Sequence, residues 1–339
     1  MGRTPRRLPA AALVAGALLA ASCGSAGVAS PARPTSPTAP AATASPSTTP
    51  APAGWSAPRT LTPGSAVAAL ACPTTTTCVA LDSAGQAYSF DGTRWRAGPT
   101  LGPAPATGQP GPLLGCASPT RCVAVPSGNL VALWNGSAWS TATPLPGAQT
   151  LQAVGCASPS FCTAIDGIGD GFTFDGSSWS SAVNAWGSAA AISCASPSFC
   201  VAAGGGPSLW DGTSWSRPAS GDPRGLYTGV SCPSPSFCVT VDTAGNETVW
   251  NGAAWSFPRT IDPVAAGATP RHLTAVSCAT ASSCVAADSA GNVLTWNGSS
   301  WSALDPVAPG TSITAVSCPT DRWCAAGTSA GTVLTYRRP

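Results

Sequence analysis

From residue 55 onward, short apolar runs alternate with Gly, Pro and Asx turns, and the whole alternation is written seven times. The fullest copy is AVSCATASSCVAADSAGNVLTWNGSSWS at 275–302. Around it the runs 273–278, 284–288, 292–296 and 301–304 are rich in Val, Ala, Thr and aromatics. They suit strands and are too short for helices. They read as strands a to d of one antiparallel sheet. Between c and d stands an Asx-Gly step, at Asp91-Gly92, Asn135-Gly136, Asp175-Gly176, Asp211-Gly212, Asn251-Gly252 and Asn297-Gly298, which supplies the positive-φ backbone of a tight hairpin. Asp82-Ser83-Ala84-Gly85 and Asp288-Ser289-Ala290-Gly291 do the same between b and c. Four-stranded units at about 40 residues are the signature of a seven-bladed, all-β propeller, with a capped β-solenoid as the other home for such repeats.

The tryptophans define how the ring closes. Trp95, Trp139, Trp179, Trp215, Trp255 and Trp301 each follow a c–d turn, one short of the seven units. The seventh is Trp55, which stands alone before the first unit, while the last unit stops at Tyr336 without a d strand. The pattern predicts that 55–61 pairs with 332–336, completing blade seven from the opposite end of the chain and removing open sheet edges.

Fourteen of the fifteen cysteines form one pair per unit at Cys-x5-Cys spacing: Cys72 with Cys78, Cys116 with Cys122, Cys156 with Cys162, Cys194 with Cys200, Cys232 with Cys238, Cys278 with Cys284 and Cys318 with Cys324. Structural zinc sites use Cys-x2-4-Cys with a second pair or histidines nearby, and this chain has a single histidine. One disulfide per blade is therefore expected, which in turn requires an oxidising compartment. No metal or other cofactor is implied.

The beginning of the chain supplies that compartment. Arg3, Arg6 and Arg7 precede an apolar stretch over 10–21, as in a secretory signal peptide assigned to 1–22 and too short to span a bilayer. The segment Leu18-Leu19-Ala20-Ala21-Ser22-Cys23 resembles a bacterial lipobox, which implies lipid attachment at Cys23, the one cysteine outside the pairs. It departs from the commonest form by placing alanine three before the cysteine. Cleavage after Ala29 is the alternative, and it would discard Cys23. Residues 23–54 are Ser, Thr, Pro and Ala with almost no bulky apolar side chain, so they read as a disordered tether ahead of the propeller at 55–339. The expected location is extracytoplasmic, on the outer face of the bacterial plasma membrane, with the membrane as partner through the lipid.

Charge narrows the function. Only 8% of residues are charged and every cation is arginine. Without 1–22, twelve arginines face thirteen acids, so a nucleic-acid partner is excluded. A monomer is expected.

Over 55–339 the chain resembles bacterial exported seven-bladed β-propellers. Turns such as Asp175-Gly176-Ser177-Ser178-Trp179 look like a shortened Asp-box of sialidase-type propellers, in which one more residue separates acid from glycine. The resemblance implies architecture and stops short of activity. A sialidase-like site would require an arginine triad on inner strands, whereas Arg59, Arg96, Arg217 and Arg259 follow the d-strand tryptophans and belong to the outer rim. Streptogramin-lyase-like propellers imply several histidines around a metal.

Variation between units is where binding is expected. Connections d–a and turns b–c share one face, and on it fall Trp186, Asp222, Arg224, Tyr227, Asp262, Arg271, His272 and Asp305 as candidate ligand residues, with the bland reading that they are ordinary solvated loop positions. The leading functional expectation is a non-enzymatic binding or scaffolding module with a protein or cell-envelope glycan partner. A lectin-like propeller would stack sugars on the aromatics ending strand c: Phe90, Trp134, Phe174, Trp210, Trp250, Trp296 and Tyr336. Recurrence in every unit favours packing for these rings. A hydrolase or lyase at the central mouth is the third alternative, against which stands an inventory of one histidine (His272), one glutamate (Glu247) and no lysine.

Overall fold

A computed structural model describes residues 54–218, 225–263 and 271–338. The expected signal peptide, Cys23 and the tether up to residue 53 lie outside the described residues. From Gly54 on, the chain folds as a seven-bladed β-propeller, each blade four antiparallel strands. Blade 1 runs Val67–Thr74 (a), Thr77–Asp82 (b), Gln86–Phe90 (c) and Trp95–Thr100 (d). Blade 6, which holds the fullest copy of the repeat, runs Leu273–Thr280, Ser283–Asp288, Asn292–Trp296 and Asp305–Pro306. The other inner strands are Leu113–Ser118, Leu151–Ser158, Ala189–Ser196, Tyr227–Ser234 and Ile313–Thr320.

Strand d departs from the expected continuous run. In blade 6 Trp301 makes an isolated bridge to Trp296, and regular pairing resumes only at Asp305–Pro306. At the interruption the serine after the tryptophan answers strand c with its side chain: the hydroxyls of Ser140, Ser180, Ser256 and Ser302 accept the amides of Leu133, Thr173, Val249 and Thr295 at 3.0 Å.

The ring closes as the tryptophan count predicts. Gly54 and Trp55 lie opposite Arg337 and Tyr336, and Arg59 and Thr60 opposite Val333 and Thr332. The Ser56 amide bridges the gap by donating to the Thr335 carbonyl at 2.8 Å.

All seven expected disulfides are formed, one within each a–b hairpin. Cys72 is bonded to Cys78, Cys116 to Cys122, Cys156 to Cys162 and Cys194 to Cys200. Cys232 is bonded to Cys238, Cys278 to Cys284 and Cys318 to Cys324. In four blades the two cysteines face each other in the ladder, as Cys116 does Cys122, Cys156 does Cys162, Cys194 does Cys200 and Cys278 does Cys284. The second cysteine of each pair lies on strand b and is the more deeply buried: Cys78, Cys122, Cys162, Cys200 and Cys238 are fully enclosed, and Cys284 and Cys324 nearly so. In the chain-entropy account each short loop contributes about 2 kcal/mol.

Neighbouring inner strands are held together by side-chain hydroxyls. Thr228 and Thr274 donate to the carbonyls of Leu273 and Ile313 in the next blade, at 2.7 and 2.6 Å, and Thr314 donates to Val67 across the seam between blades 7 and 1. Ser193, Ser231, Ser277 and Ser317 accept from the amides of Cys232, Cys278, Cys318 and Cys72, all at 2.9 Å. Blades 2 and 3 carry glycine at the serine position, and a Cβ on Gly155 would come within 2.9 Å of Ile192 Cγ2. Between blades 3 and 4 the strands pass too closely for a side chain.

The aromatics sort out at larger radius. Every blade pairs the ring ending strand c with the tryptophan after the turn, from Phe90–Trp95 at 5.4 Å to Trp296–Trp301 at 5.8 Å, with Trp55–Tyr336 at 5.5 Å closing the set. These pairs also pack between blades: Trp210 and Trp215 join a cluster with Ile165 and Ala185 of the preceding blade. The rings whose recurrence favours packing are packing in the fold.

The Asx-Gly turns are built around the Asx side chain. Asp175 Oδ1 accepts from the amides of Ser177 and Ser178, both at 2.8 Å, and Asn297 Oδ1 accepts from those of Ser299 and Ser300 at 2.9 Å. Hydrogen bonds to the ionised form hold three carboxyls down. The Ser214 amide leads in bringing Asp211 from 3.8 to about 2, the Thr93 hydroxyl leads for Asp91, and the Ser178 amide leads for Asp175, the last two well below the usual carboxylate range. Their folded-state pKa values lie below the unfolded ones, so these turns contribute stability above about pH 4 that is lost as pH falls towards 2. Replacing Asp91, Asp175 and Asp211 with Asn, which Asn135, Asn251 and Asn297 show to fit the same turn, is expected to flatten the stability-versus-pH curve between about pH 4 and 2. Urea unfolding across that window measures the slope, and an unchanged slope would refute the assignment.

Candidate functional site

The two faces of the ring differ in kind. On one, the a–b and c–d turns meet: the indole N–H groups of Trp134, Trp210 and Trp250 donate to the a–b loop carbonyls of Pro119, Pro197 and Pro235, each at 3.0 Å. This face repeats the same turn geometry from blade to blade, with Phe90, Phe174 and Tyr336 in place of the indole in blades 1, 3 and 7. The opposite face carries the b–c turns and d–a connections. Four of its turns open on a buried aspartate, Asp82, Asp166, Asp242 or Asp288, whose Oδ1 accepts the amides two and four residues on. Those acids cap turns.

The axial channel is a cavity of about 220 Å³ walled by the inner strands, among them Leu70, Val154, Ile192 and Val276. Among the described residues no ionisable side chain lines it, and the hydroxyls of Thr228, Thr274 and Thr314 are given to the neighbouring strand. Nothing in this wall supplies an acid, base or nucleophile of tuned pKa.

The candidate residues separate into three groups. Asp222 and Arg224 lie outside the described residues. Tyr227 and Asp262 are buried, Arg271 is partly buried against two acids, and Asp305 is exposed on the outer strand. Tyr227 is buried as the first residue of strand a, the position of Leu151, Leu273 and Ile313 in other blades. Asp305 is exposed but pairs with Val293 in outer strand d, away from the mouth. Arg271 donates from Nε to Asp262 Oδ1 at 2.6 Å and from its terminal nitrogen to the Pro263 carbonyl at 2.7 Å, and stands 3.6 Å from Asp288 Oδ2. Asp262 is fully buried with Oδ2 unbonded, and burial raises its pKa against the pull of Arg271. This triad holds the approach to blade 6 onto the b–c turn.

His272 and Trp186 remain accessible. The His272 amide and carbonyl are both held by Ser289, at 3.1 and 3.0 Å, which places the residue at the rim of the channel, just before strand a. Trp186 is the one non-glycine residue with positive φ, 66°, among the described residues, and it is 54% exposed. Three hydrogen bonds pin it: its amide to Asn184 Oδ1 at 2.7 Å, its indole N–H to the Trp215 carbonyl at 2.9 Å, and the Arg217 guanidinium to its carbonyl at 2.7 Å.

Two further residues join it on this face. Ile168, 70% exposed, stands in a b–c turn where blades 1, 5, 6 and 7 have alanine at 84, 244, 290 and 330. Leu226, 67% exposed, occupies the rim position that His272 holds in the next blade, its carbonyl accepting the Thr243 amide. Superimposing the repeats would have exposed both as apolar departures in polar turns.

No family model and no curated protein matches the chain. Solved structures do. YCF48 bound to a D1 peptide has a TM-score of 0.63 at 14% identity, covering 84% of this chain and 97% of that one. The likeness is one of fold. U3-55K gives a TM-score of 0.69 at 10% identity over 83% and 98% of the two chains, and the WD40 β-propeller domain of Doa1 gives 0.64 at 12% over 83% and 95%.

The structural role of the triad is open to measurement. Arg271→Ala leaves two buried carboxylates without their cation and is expected to cost about 3 kcal/mol or more, measured by urea unfolding at pH 7. Asp262 has a raised folded-state pKa, and its ionised form is the costly one, so the deficit should shrink as pH falls and Asp262 takes up a proton. Adding Asp262→Asn should recover part of the loss. A wild-type stability in Arg271→Ala would overturn the structural role.

Proposed function

We propose that the chain is a non-enzymatic binding module, carried outside the cytoplasm on a lipid at Cys23, that captures a protein segment on the face bearing Trp186, Ile168 and Leu226. The observation that carries this reading is Trp186. A bulky side chain in left-handed backbone costs about 1–2 kcal/mol, and here three hydrogen bonds maintain that conformation while leaving the indole half in solvent. Strain retained at an exposed aromatic points to use of the ring. Tryptophan is also the residue type that most often anchors an interface.

Ile168 supports the reading as an apolar neighbour: the backbones of Gly169 and Gly187, one residue beyond Ile168 and Trp186 respectively, touch closely enough that a Cβ on Gly169 would lie 2.7 Å from Gly187 Cα. A protein segment suits exposed apolar anchors better than a free sugar, and one similar propeller, YCF48, was solved with a peptide, the D1 peptide, bound. The recurrent aromatics of strand c are engaged with their tryptophan partners, which removes the lectin reading's main support. The described wall of the channel holds no ionisable group and so lends no support to an enzyme at the mouth. Export accords with the disulfides, which persist where thiols are not kept reduced.

Two outcomes are expected. Trp186→Gly, which relieves the strained φ, should keep or raise the melting temperature while abolishing enrichment of peptides from a displayed random-peptide library. Phe257→Ser on the outer rim should leave enrichment intact. A sharply lower melting temperature with enrichment unchanged would make Trp186 structural and sink the reading. Separately, metabolic labelling with a radiolabelled fatty acid should mark the protein and fail to mark Cys23→Ala; an unlabelled wild type would refute the anchor.

A further inference from the structure

The seam where the ends of the chain meet encloses a cleft that no other blade junction repeats in its chemistry. It has a volume of about 280 Å³ and is walled by strands c and d of blade 7 and by the c–d hairpin of blade 1. Arg59, Arg94 and Arg337 line it, together with Thr60, Thr335 and the Phe90–Trp95 ring pair. The guanidinium groups of Arg59 and Arg337 have no acidic or hydrogen-bonding partner among the described residues. Arg94 has only a loose approach of 3.7 Å to Asp91, whose carboxylate is shared with Arg96 at 3.1 Å.

Blade 5 provides the internal comparison. Arg259 stands opposite Glu247 in the ladder as Arg59 stands opposite Val333, and Thr260 opposite Asn246 as Thr60 stands opposite Thr332. At blade 5 every one of these groups is satisfied within the protein. Buried Glu247 accepts from Arg259 Nε at 2.7 Å and from the Trp301 indole of blade 6 at 2.6 Å, and the Arg259 guanidinium lies 5.5 Å from the Trp296 ring. Thr260 donates to Asn246 Oδ1 at 2.7 Å. At the seam the acid is replaced by valine and the amide by a threonine whose hydroxyl is bonded to Thr328. Arg59 and the hydroxyl of Thr60 are left open in the same places where blade 5 closes them.

We infer that this cleft is a binding site for an acidic monosaccharide unit, its carboxylate held by Arg59 and Arg337 and a hydroxyl by Thr335, which shares the sheet face of Val333 and Arg337. Guanidinium groups recognise a carboxylate through paired, charge-assisted hydrogen bonds. The volume sits at the small end of ligand clefts, room for one sugar ring and too little for a folded peptide. This site is separate from the Trp186 face and stands or falls without it.

The test is titration calorimetry of the purified, disulfide-intact protein with glucuronate, glucose and inorganic sulfate at low ionic strength. Glucuronate should bind, glucose should not, and sulfate should bind more weakly and compete. Val333→Glu rebuilds the blade 5 arrangement and supplies an internal carboxylate, so it should weaken glucuronate binding about tenfold or more while the melting temperature holds. Arg59→Ala and Arg337→Ala give the same loss by removing the donors, and serve if Val333→Glu proves unstable. Equal binding of glucose and glucuronate, sulfate binding as tightly as glucuronate, no binding of any probe, or binding indifferent to all three substitutions would each overturn the proposal.

Discussion

The fold depends on one non-covalent closure. None of the seven disulfides joins one blade to another; each staples a single a–b hairpin over a separation of six residues. The ring is therefore held by what passes between blades. At the seam this is a short outer ladder, Gly54–Trp55 and Arg59–Thr60 on the last strand, and an inner pair of hydrogen bonds, Thr314 to Val67 and Cys72 to Ser317. Without them blade 7 would present an open edge to any passing strand. Gly327 belongs to the same closure, since a Cβ there would lie 2.5 Å from the buried Val67 side chain.

Side-chain size follows radius. Sheets arranged about an axis converge inside and diverge outside, so inner strands set Ala, Gly, Ser and Thr among their Val, Leu and Ile positions, and the large ring pairs appear at the c–d turns where the gap is wide. The hydrophobic core is consequently seven separate clusters between blades, such as Val239, Val241, Leu273, Leu294 and Trp301 between blades 5 and 6. Hydroxyl-to-carbonyl bonds replace apolar burial near the axis, where small residues offer little area. The disulfides brace hairpins whose inner strand contributes so little.

Architecture was legible because it is periodic. Cysteine spacing marked the hairpins, Asx-Gly steps marked the turns, and the displaced Trp55 marked the closure. Strand d is shorter than its sequence suggests, since the serine after its tryptophan, as at Ser256 and Ser302, meets the strand c amide with its hydroxyl in place of a ladder carbonyl. The candidate face was harder for a different reason. Tyr227 has a polar handle, but its place at the head of strand a makes it core, as Leu273 and Ile313 are. Arg271 and Asp262 are nine residues apart in the chain, and nothing in the sequence between them signals that they stand 2.6 Å apart. Ile168 and Leu226 stand out once the repeats are stacked, and Arg59 can be matched with Arg259 once the ladder register is known.

A repeat protein carries its own controls, and they separate two kinds of departure from the common unit. Some are compensated inside the fold. Glu247 arrives with Arg259 and Trp301, and Asp262 with Arg271, so each buried charge meets its partner and stability accounts for the set. Others are uncompensated. Trp186 keeps a backbone conformation that glycine would adopt without strain, Ile168 and Leu226 face solvent where sister positions are small or polar, and Arg59 lacks the carboxylate that its counterpart has. These departures are what the two binding proposals rest on, one on the face beside the channel mouth and one at the seam, because in each a side chain costly to the fold, or left without the partner its counterpart has, is kept at the surface.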